Sequence, residues 1–420
     1  MNRVKLGELL RIKHGYAFKS ENYVTSSPYA LVTLANISSS NSFRFDQEKT
    51  TFYGASFPEE FILHTDDLIM PLTEQVIGLF GNSAFIPSMK EIRFVLNQRV
   101  GKVIPNEGKA DKYYLHYLLS TEIVREQLEH RASGTKQRNI SPDDVYDVTV
   151  VVPELNVQQK IGKALYCLEA KVNVNNAIND NLQQQRRLMY DYWFNQFDFP
   201  NEEGKPYRAS GGKMQYSFRL KRDIPEGWTE ESVISNSISV PIKPGVERFS
   251  TKSYLATADV NGTRLSSGSL IDYETREGRA NMQPTVSSVW FAKMKNSIKH
   301  LFLNREMKQL IDSTILSTGF CGLQCTEKSF EYISAFIEHS YFEDVKNILA
   351  HGATQESVNN DDLLGLGMLV PTSEVLELFH AKAKPLYAQI SRNICENQKL
   401  TEIRDWLLPM LMNGQATISD

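Results

Sequence analysis

Two long stretches of the chain carry their apolar residues at alternating steps of four and three. The first seam reads Ile161, Leu165, Leu168, Val172, Asn175, Asn179, Leu182, Arg186, Met189 and Trp193. The second reads Phe379, Ala383, Leu386, Ile390, Asn393, Asn397, Leu400, Arg404, Leu407 and Leu411. A 3.5-residue apolar repeat predicts helices that pack along their length, here over residues 154–197 and 372–414. Both seams are interrupted by polar residues at the same places. Asn175, Asn179 and Arg186 recur as Asn393, Asn397 and Arg404. Buried asparagine in such a seam costs stability and fixes register. Two copies on one chain, related by near two-fold symmetry, predict an antiparallel coiled coil locked by these six residues. Replacing both Asn175 and Asn393 by Leu is then expected to keep or raise stability. The competing expectation is that each helix packs only on its own globule.

The helices are the tail of a longer repeat. Shifting residues 134–195 by 218 superposes a second copy without a gap, with fourteen identities against about four expected from average composition. Gly134 meets Gly352, Gln137 meets Gln355, Asp143-Asp144 meet Asp361-Asp362, and Val152-Pro153 meet Val370-Pro371.

Before the first copy, short apolar runs at 29–34, 61–63, 68–72, 83–86 and 99–104 alternate with Gly, Asn, Ser and Pro, the punctuation of strands. A helical pattern follows over 113–130. The second globule repeats the plan, with strand candidates at 253–258, 286–291 and 313–316 and a helix over 328–349. Residues 198–226, rich in Pro, Gly and charge, read as a solvated connector. The fold class expected is mixed α/β (α+β), with two globules each followed by a long helix. The globules align nowhere without gaps outside the repeat, so they are expected to differ while the scaffold is shared. Domains are placed at 1–153, 154–197 (long helix), 198–226 (linker), 227–371 and 372–414 (long helix).

Composition excludes more than it selects. The net charge is −4 in 420 residues, which argues against a stand-alone DNA binder but permits local basic patches. No apolar run reaches the ~18 residues of a membrane span and the first residues lack a signal peptide's apolar core, so a cytoplasmic protein is expected. Four cysteines form no disulfide framework, and Cys321/Cys325 lack the second pair of a zinc site. There is no Pro-Pro dipeptide for an Asn/Asp-Pro-Pro-aromatic methyltransferase motif. No phosphate loop, dinucleotide fingerprint, nucleophile elbow or His-Glu-x-x-His pair occurs. The paired aspartates fall at the same turn of the repeat, where capping is the simpler role. No catalytic residue and no metal ligand is expected.

These features resemble the specificity subunit of Type I restriction-modification enzymes over essentially the whole chain. The resemblance is carried by Gly134-Thr-Lys-Gln137 with Ile140-Ser141, by 153–161 (PELNVQQKI), by Tyr192-Trp-Phe194, by the linker 199–207 (FPNEEGKPY) with 210–213 (SGGK), and by 224–228 (IPEGW). Departures are Gln158-Gln159 and Leu376-Glu377 after the two prolines. Pro385 inside the second helix predicts a kink or a late start.

The resemblance implies that the globules are target recognition domains reading a split DNA sequence for restriction-modification, a phage defence. It implies that the helices space them and dock two methyltransferase subunits, with motor-nuclease restriction subunits joining the larger complex. Such a chain is non-catalytic and holds no cofactor. S-adenosylmethionine belongs to the methyltransferase partners, and ATP and Mg to the restriction subunits. A repeat-built scaffold that binds only proteins is the alternative.

Phosphate contacts position a reader, and Arg, Lys, Asn and Gln at base edges specify. From charge and loop position the DNA-binding candidates are Lys19, Asn36, Thr73, Gln75, Lys136 and Arg138 in the first reader. In the second they are Lys252, Asn261, Arg276, Arg279, Lys293 and Lys295.

Overall fold

The computed structural model describes residues 2–38, 41–75, 77–218, 220–266 and 268–418. The chain forms two compact units, one of Met1–Ala170 with Glu402–Asp420 and one of Lys171–Thr401.

In the first unit an antiparallel sheet has the order Leu10–His14, Val100–Pro105, Leu68–Pro71, Ala84–Phe85. A second sheet runs Tyr23–Val24, Phe52–Tyr53, Tyr29–Val32, Arg93–Leu96, its last pair parallel. A two-stranded ribbon joins Asn2–Lys5 to Thr149–Val152. Helices Lys112–Leu119 and Glu122–Arg131 pack on these sheets, with Leu115, Leu118, Val124 and Leu128 in a core shared with Leu6, Leu68 and Val103.

The second unit repeats the order of the first sheet and the antiparallel–parallel core of the second, with its additional edge strand on the opposite side. One sheet is Ser239–Pro241, Phe320–Cys325, Ser288–Ala292, His300–Leu303. The other is Ser269–Ile271, Lys252–Leu255, Thr314–Ser317, Ala280–Met282, with Lys252–Leu255 and Thr314–Ser317 parallel. The ribbon pairs Thr229–Ser232 with Gly367–Val370.

The two globules therefore share one core topology, differing in an edge strand, which their sequences concealed. The reason is a drifting offset. The turn at Thr33–Asn36 corresponds to Ala256–Asp259, while the later helices are 218 apart. Loops of unequal length between strands absorb the difference, so no ungapped alignment survives.

Each predicted helix before the repeat breaks in two at an equivalent point. Thr121 and His339 are both extended, with ψ of 148° and 144°. Ser120 and Thr121 donate their hydroxyls back to Tyr117 and Leu118 (2.8 and 2.7 Å), and the His339 ring accepts from the Tyr341 amide. Local side-chain bonds of this kind compete with helix continuation.

The long helices span Leu155–Tyr190 and Ser373–Met412. The first ends in a π-turn, Asp191–Asn195. The second does not start late. It runs through Pro385 because Phe379, Ala383 and Tyr387 are buried in the core of the second unit, which holds the helix although Pro385 cannot donate to the Ala381 carbonyl.

The 198–226 segment is not simply solvated. Phe197, Phe199, Ile224 and Trp228 are buried, with Phe199 stacked between Tyr207 and Trp228 at 4.6 and 5.4 Å, and a hairpin joins Met214–Ser217 to Arg222–Pro225. Cys321 and Cys325 lie with Leu323 on the inner face of a core strand, where burial pushes the Cys321 thiol up to about 12.

Candidate nucleic-acid interface

The repeat opens with the same loop in both units. Gly134 and Gly352 have positive φ (109° and 140°), and a Cβ on either would sit 2.2 or 2.5 Å from the carbonyl oxygen of Gln137 or Gln355. Only glycine fits such a bend. The hairpins close through Ser133 with Asn139 and His351 with Ser357.

In the first unit the loop is stitched to Thr73–Glu74 by Arg138–Asn139. Arg138 pairs with the buried Glu74 carboxylate at 3.0 Å, donates to the Glu129 carbonyl at 2.8 Å and lies over the Phe80 ring. Thr73 donates its hydroxyl to Asn139 at 2.8 Å. In the second unit Met294 bridges Ser357, and Lys295 pairs with Glu356 at 2.9 Å. Glu356 is the repeat equivalent of Arg138, so the same contact is made with its charges exchanged.

Glu74 also accepts from the Leu79 and Phe80 amides, so removing Arg138 strands a buried carboxylate. Arg138→Ala is expected to cost about 3–5 kcal/mol. The swap Arg138→Glu with Glu74→Lys, which copies the second unit, should restore only part, because lysine cannot accept those amides. Thermal unfolding of the two variants checks this.

The candidates divide by what their side chains already do. Asn36 is buried, accepts from the Thr33 amide at 2.8 Å and donates to the Arg44 carbonyl at 2.9 Å. Asp259 caps the equivalent turn through the Ala256 amide, so position 36 is a structural turn residue rather than a free reader. Thr73, Arg138 and Lys295 are likewise engaged in holding the loops. Lys19, Gln75 and Lys136 are exposed, Lys19 with Glu21 3.9 Å away.

In the second unit the cationic candidates lie on or beside one sheet and in the nearby sequence. Lys252 donates to Gln283 at 3.3 Å, Arg276 stacks on Tyr273 at 3.9 Å, and Arg279 is exposed. Asn261 is exposed in the hairpin Val260–Asn261/Arg264–Leu265, and Lys293 is half-buried. Arg264, exposed in that hairpin, and Arg248, paired with Glu274, are further cations of this unit that the sequence did not single out. The hairpin at 260–265 turns at Gly262-Thr263, with Gly262 at φ 61°, which leaves Arg264 at its exposed tip.

The helix seams behave differently from a hydrophobic zipper. Within the second unit Asn175 donates to Asn397 at 2.9 Å and to Glu396 at 2.7 Å. Asn393 donates to Asn179 at 2.8 Å, and Asn397 donates to Asn176 at 3.0 Å. These pairs make the two helix segments antiparallel. In the first unit, Ile161 and Leu165 share a core with Leu411.

The two arginines make different contacts. Arg186 is buried, pairs with Glu338 at 2.8 Å and lies 4.3 Å from the Tyr387 ring centre, whereas Arg404 pairs with its neighbour Asp405. Among the described residues no group of His, Cys, Asp and Glu could hold a metal ion, and no helix is long and apolar enough to cross a membrane.

Comparison with known proteins agrees with this geometry. The family described as the Type I restriction modification DNA specificity domain matches residues 1–184. The specificity subunit of the Type I restriction enzyme MjaIX of Methanocaldococcus jannaschii is 23% identical over 342 residues, covering 77% of this chain and 73% of that protein. The HindI specificity subunit of Haemophilus influenzae is 22% identical over 375 residues, covering 77% and 81%. The crystal structure of a Type I S subunit from M. genitalium has the same fold, with TM-score 0.55, 12% identity and coverage of 98% and 95%.

Residues 1–184 thus match a DNA specificity domain, in a chain built on a repeated helical scaffold. Domain, relatives and fold together support an S subunit of a Type I restriction-modification system.

Proposed function

We propose that this chain is the non-catalytic reader of a bipartite, gapped DNA target, one half read by each globule. The observation that carries the reading is one fold used twice on a repeated scaffold, with different polar sets that are exposed or partly exposed. The first globule offers Lys19, Gln75 and Lys136; the second offers Lys252, Asn261, Arg276, Arg279 and Lys293. On this reading residues 1–153 and 227–371 are the target recognition domains, and 154–197 and 372–414 are the helices that space them, with 198–226 as the linker. Two methyltransferase subunits dock on the chain, and restriction subunits join through them. S-adenosylmethionine and the ATP and Mg of restriction are held by those partners, and the complex acts in the cytoplasm.

The expected result in cells carrying this chain with its methyltransferase is a methylated motif of two short specific halves separated by a fixed unspecific gap. With a net charge of −4 the isolated chain should bind DNA weakly, and binding by the complex should weaken steeply between 50 and 200 mM salt. A continuous motif, or tight specific binding by the chain alone at physiological salt, would overturn the reading.

A further inference from the structure

In both units the capped turn at Thr33–Asn36 or Ala256–Asp259 runs into a reversal of the chain mounted in the same way. In the second, Val260–Asn261 pairs with Arg264–Leu265 across the tip Gly262-Thr263. In the first, Ile37 bridges Phe43 across a longer tip. The residues at the base are apolar in each. Val260 is buried in a core that Leu265 packs against, and Ile37 is buried in one that Phe43 packs against. A shared base under a divergent tip is the form expected of an element that reads a sequence.

Side chains alternate between the faces of a strand, so with Val260 and Leu265 turned inward, Asn261 and Arg264 share the outer face. Both are exposed, and neither side chain has a hydrogen-bond or ion-pair partner among the described residues. In this they differ from Lys252, bonded to Gln283, and from Arg248, paired with Glu274. The ribbon is also held from beneath. Leu182 of the first long helix and Ile390 of the second pack in the core that takes Val260, and Gln183 donates to the Thr263 hydroxyl at 3.4 Å. The outward pair stands on a fixed mount, so little order has to be gained on binding.

An amide beside a guanidinium, with no apolar side chain at the tip, lacks the anchor of a protein interface. It has the donors and acceptors that read base edges, Asn bidentate on adenine and Arg bidentate on guanine. A two-stranded ribbon enters the major groove, which is about 12 Å wide. Directly opposite residues root their side chains about 5 Å apart, and at about 3.4 Å per base step they reach neighbouring base pairs.

We infer that Asn261 and Arg264 are a base-reading pair of the second unit, Asn261 for an adenine and Arg264 for a guanine in adjacent base pairs. This rests on the function proposed above, and it adds which side chains read and which bases they take.

The test uses the full chain with the modification subunit of its own system. It is read by sequencing of methylated bases and by methylation rates on DNA altered one base pair at a time. The second half of the motif is the one that changes when residues 229–351 are exchanged. In the unaltered complex that half contains adjacent A·T and G·C pairs. Arg264→Lys, which keeps the charge and loses the fork, lowers discrimination at the G·C position by about fivefold or more, and Arg264→Ala does the same. Asn261→Ala relaxes the adjacent A·T position to a similar degree. The first half and the gap stay as they were. Lys308→Gln, which removes an exposed cation paired with Asp312, leaves the whole motif unchanged. Melting temperatures stay unchanged, because the altered side chains are exposed.

A motif unaltered by the Asn261 and Arg264 variants, or a second half without adjacent A·T and G·C pairs, overturns the inference and leaves the function standing. So does a uniform loss on every sequence with a shallower salt dependence in Arg264→Ala, the mark of a phosphate contact. Relaxation confined to the first half has the same consequence. An ungapped motif from the unaltered complex overturns the proposed function, and this inference with it.

Discussion

Exchanging Thr229–His351 for the corresponding segment of another specificity subunit changes one half of the methylated motif and leaves the other half and the gap untouched. The junctions follow from the structure. Trp228 stays with the host because it stacks on Phe199, and the ribbon strand Thr229–Ser232 pairs through backbone alone with Gly367–Val370. The graft ends before Gly352, whose loop belongs to the repeated scaffold. Each mismatched base pair costs about 1–3 kcal/mol, so a new half-target of three or more positions should lower methylation at the original sites at least ~10²-fold. Sequencing of methylated bases gives the outcome. If both halves change together, the two units do not read independently.

The second large effect lies in the helix seam, and there the structure reverses the expectation from sequence. Asn175→Leu with Asn393→Leu should destabilise the protein. Asn179 would lose the amide that Asn393 donates, and Asn397 and Glu396 would lose the amide of Asn175. Asn179 is fully buried, so its carbonyl is left without a partner at about 1–3 kcal/mol, with a smaller loss at the half-buried Asn397. Replacing all four of Asn175, Asn179, Asn393 and Asn397 by Leu removes donors and acceptors together, and burial of the new side chains should recover or exceed the original stability. Denaturant unfolding of the double and quadruple variants measures both. A double variant as stable as the parent would show that the amide ladder contributes nothing.

The sequence by itself determined the parts whose signals are local or periodic. The two long helices, their common polar interruptions, the glycine loops at 134 and 352 and the capped turns at Ser141 and Asn359 follow from spacing and residue type. Only the tertiary structure decided what depends on contacts distant in the chain. The shared topology of the globules is held by strand pairings such as Tyr29–Val32 with Arg93–Leu96 and Lys252–Leu255 with Thr314–Ser317, which loops of unequal length hide from any fixed offset. Nor could charge and loop position separate Arg138, tied to Glu74, from Lys136, which is exposed: two residues apart, they differ only in what the fold brings against them. The same holds for Asn36, an amide on a loop by sequence and a turn cap in the folded chain, because burial and hydrogen-bond partners are properties of packing and not of residue type.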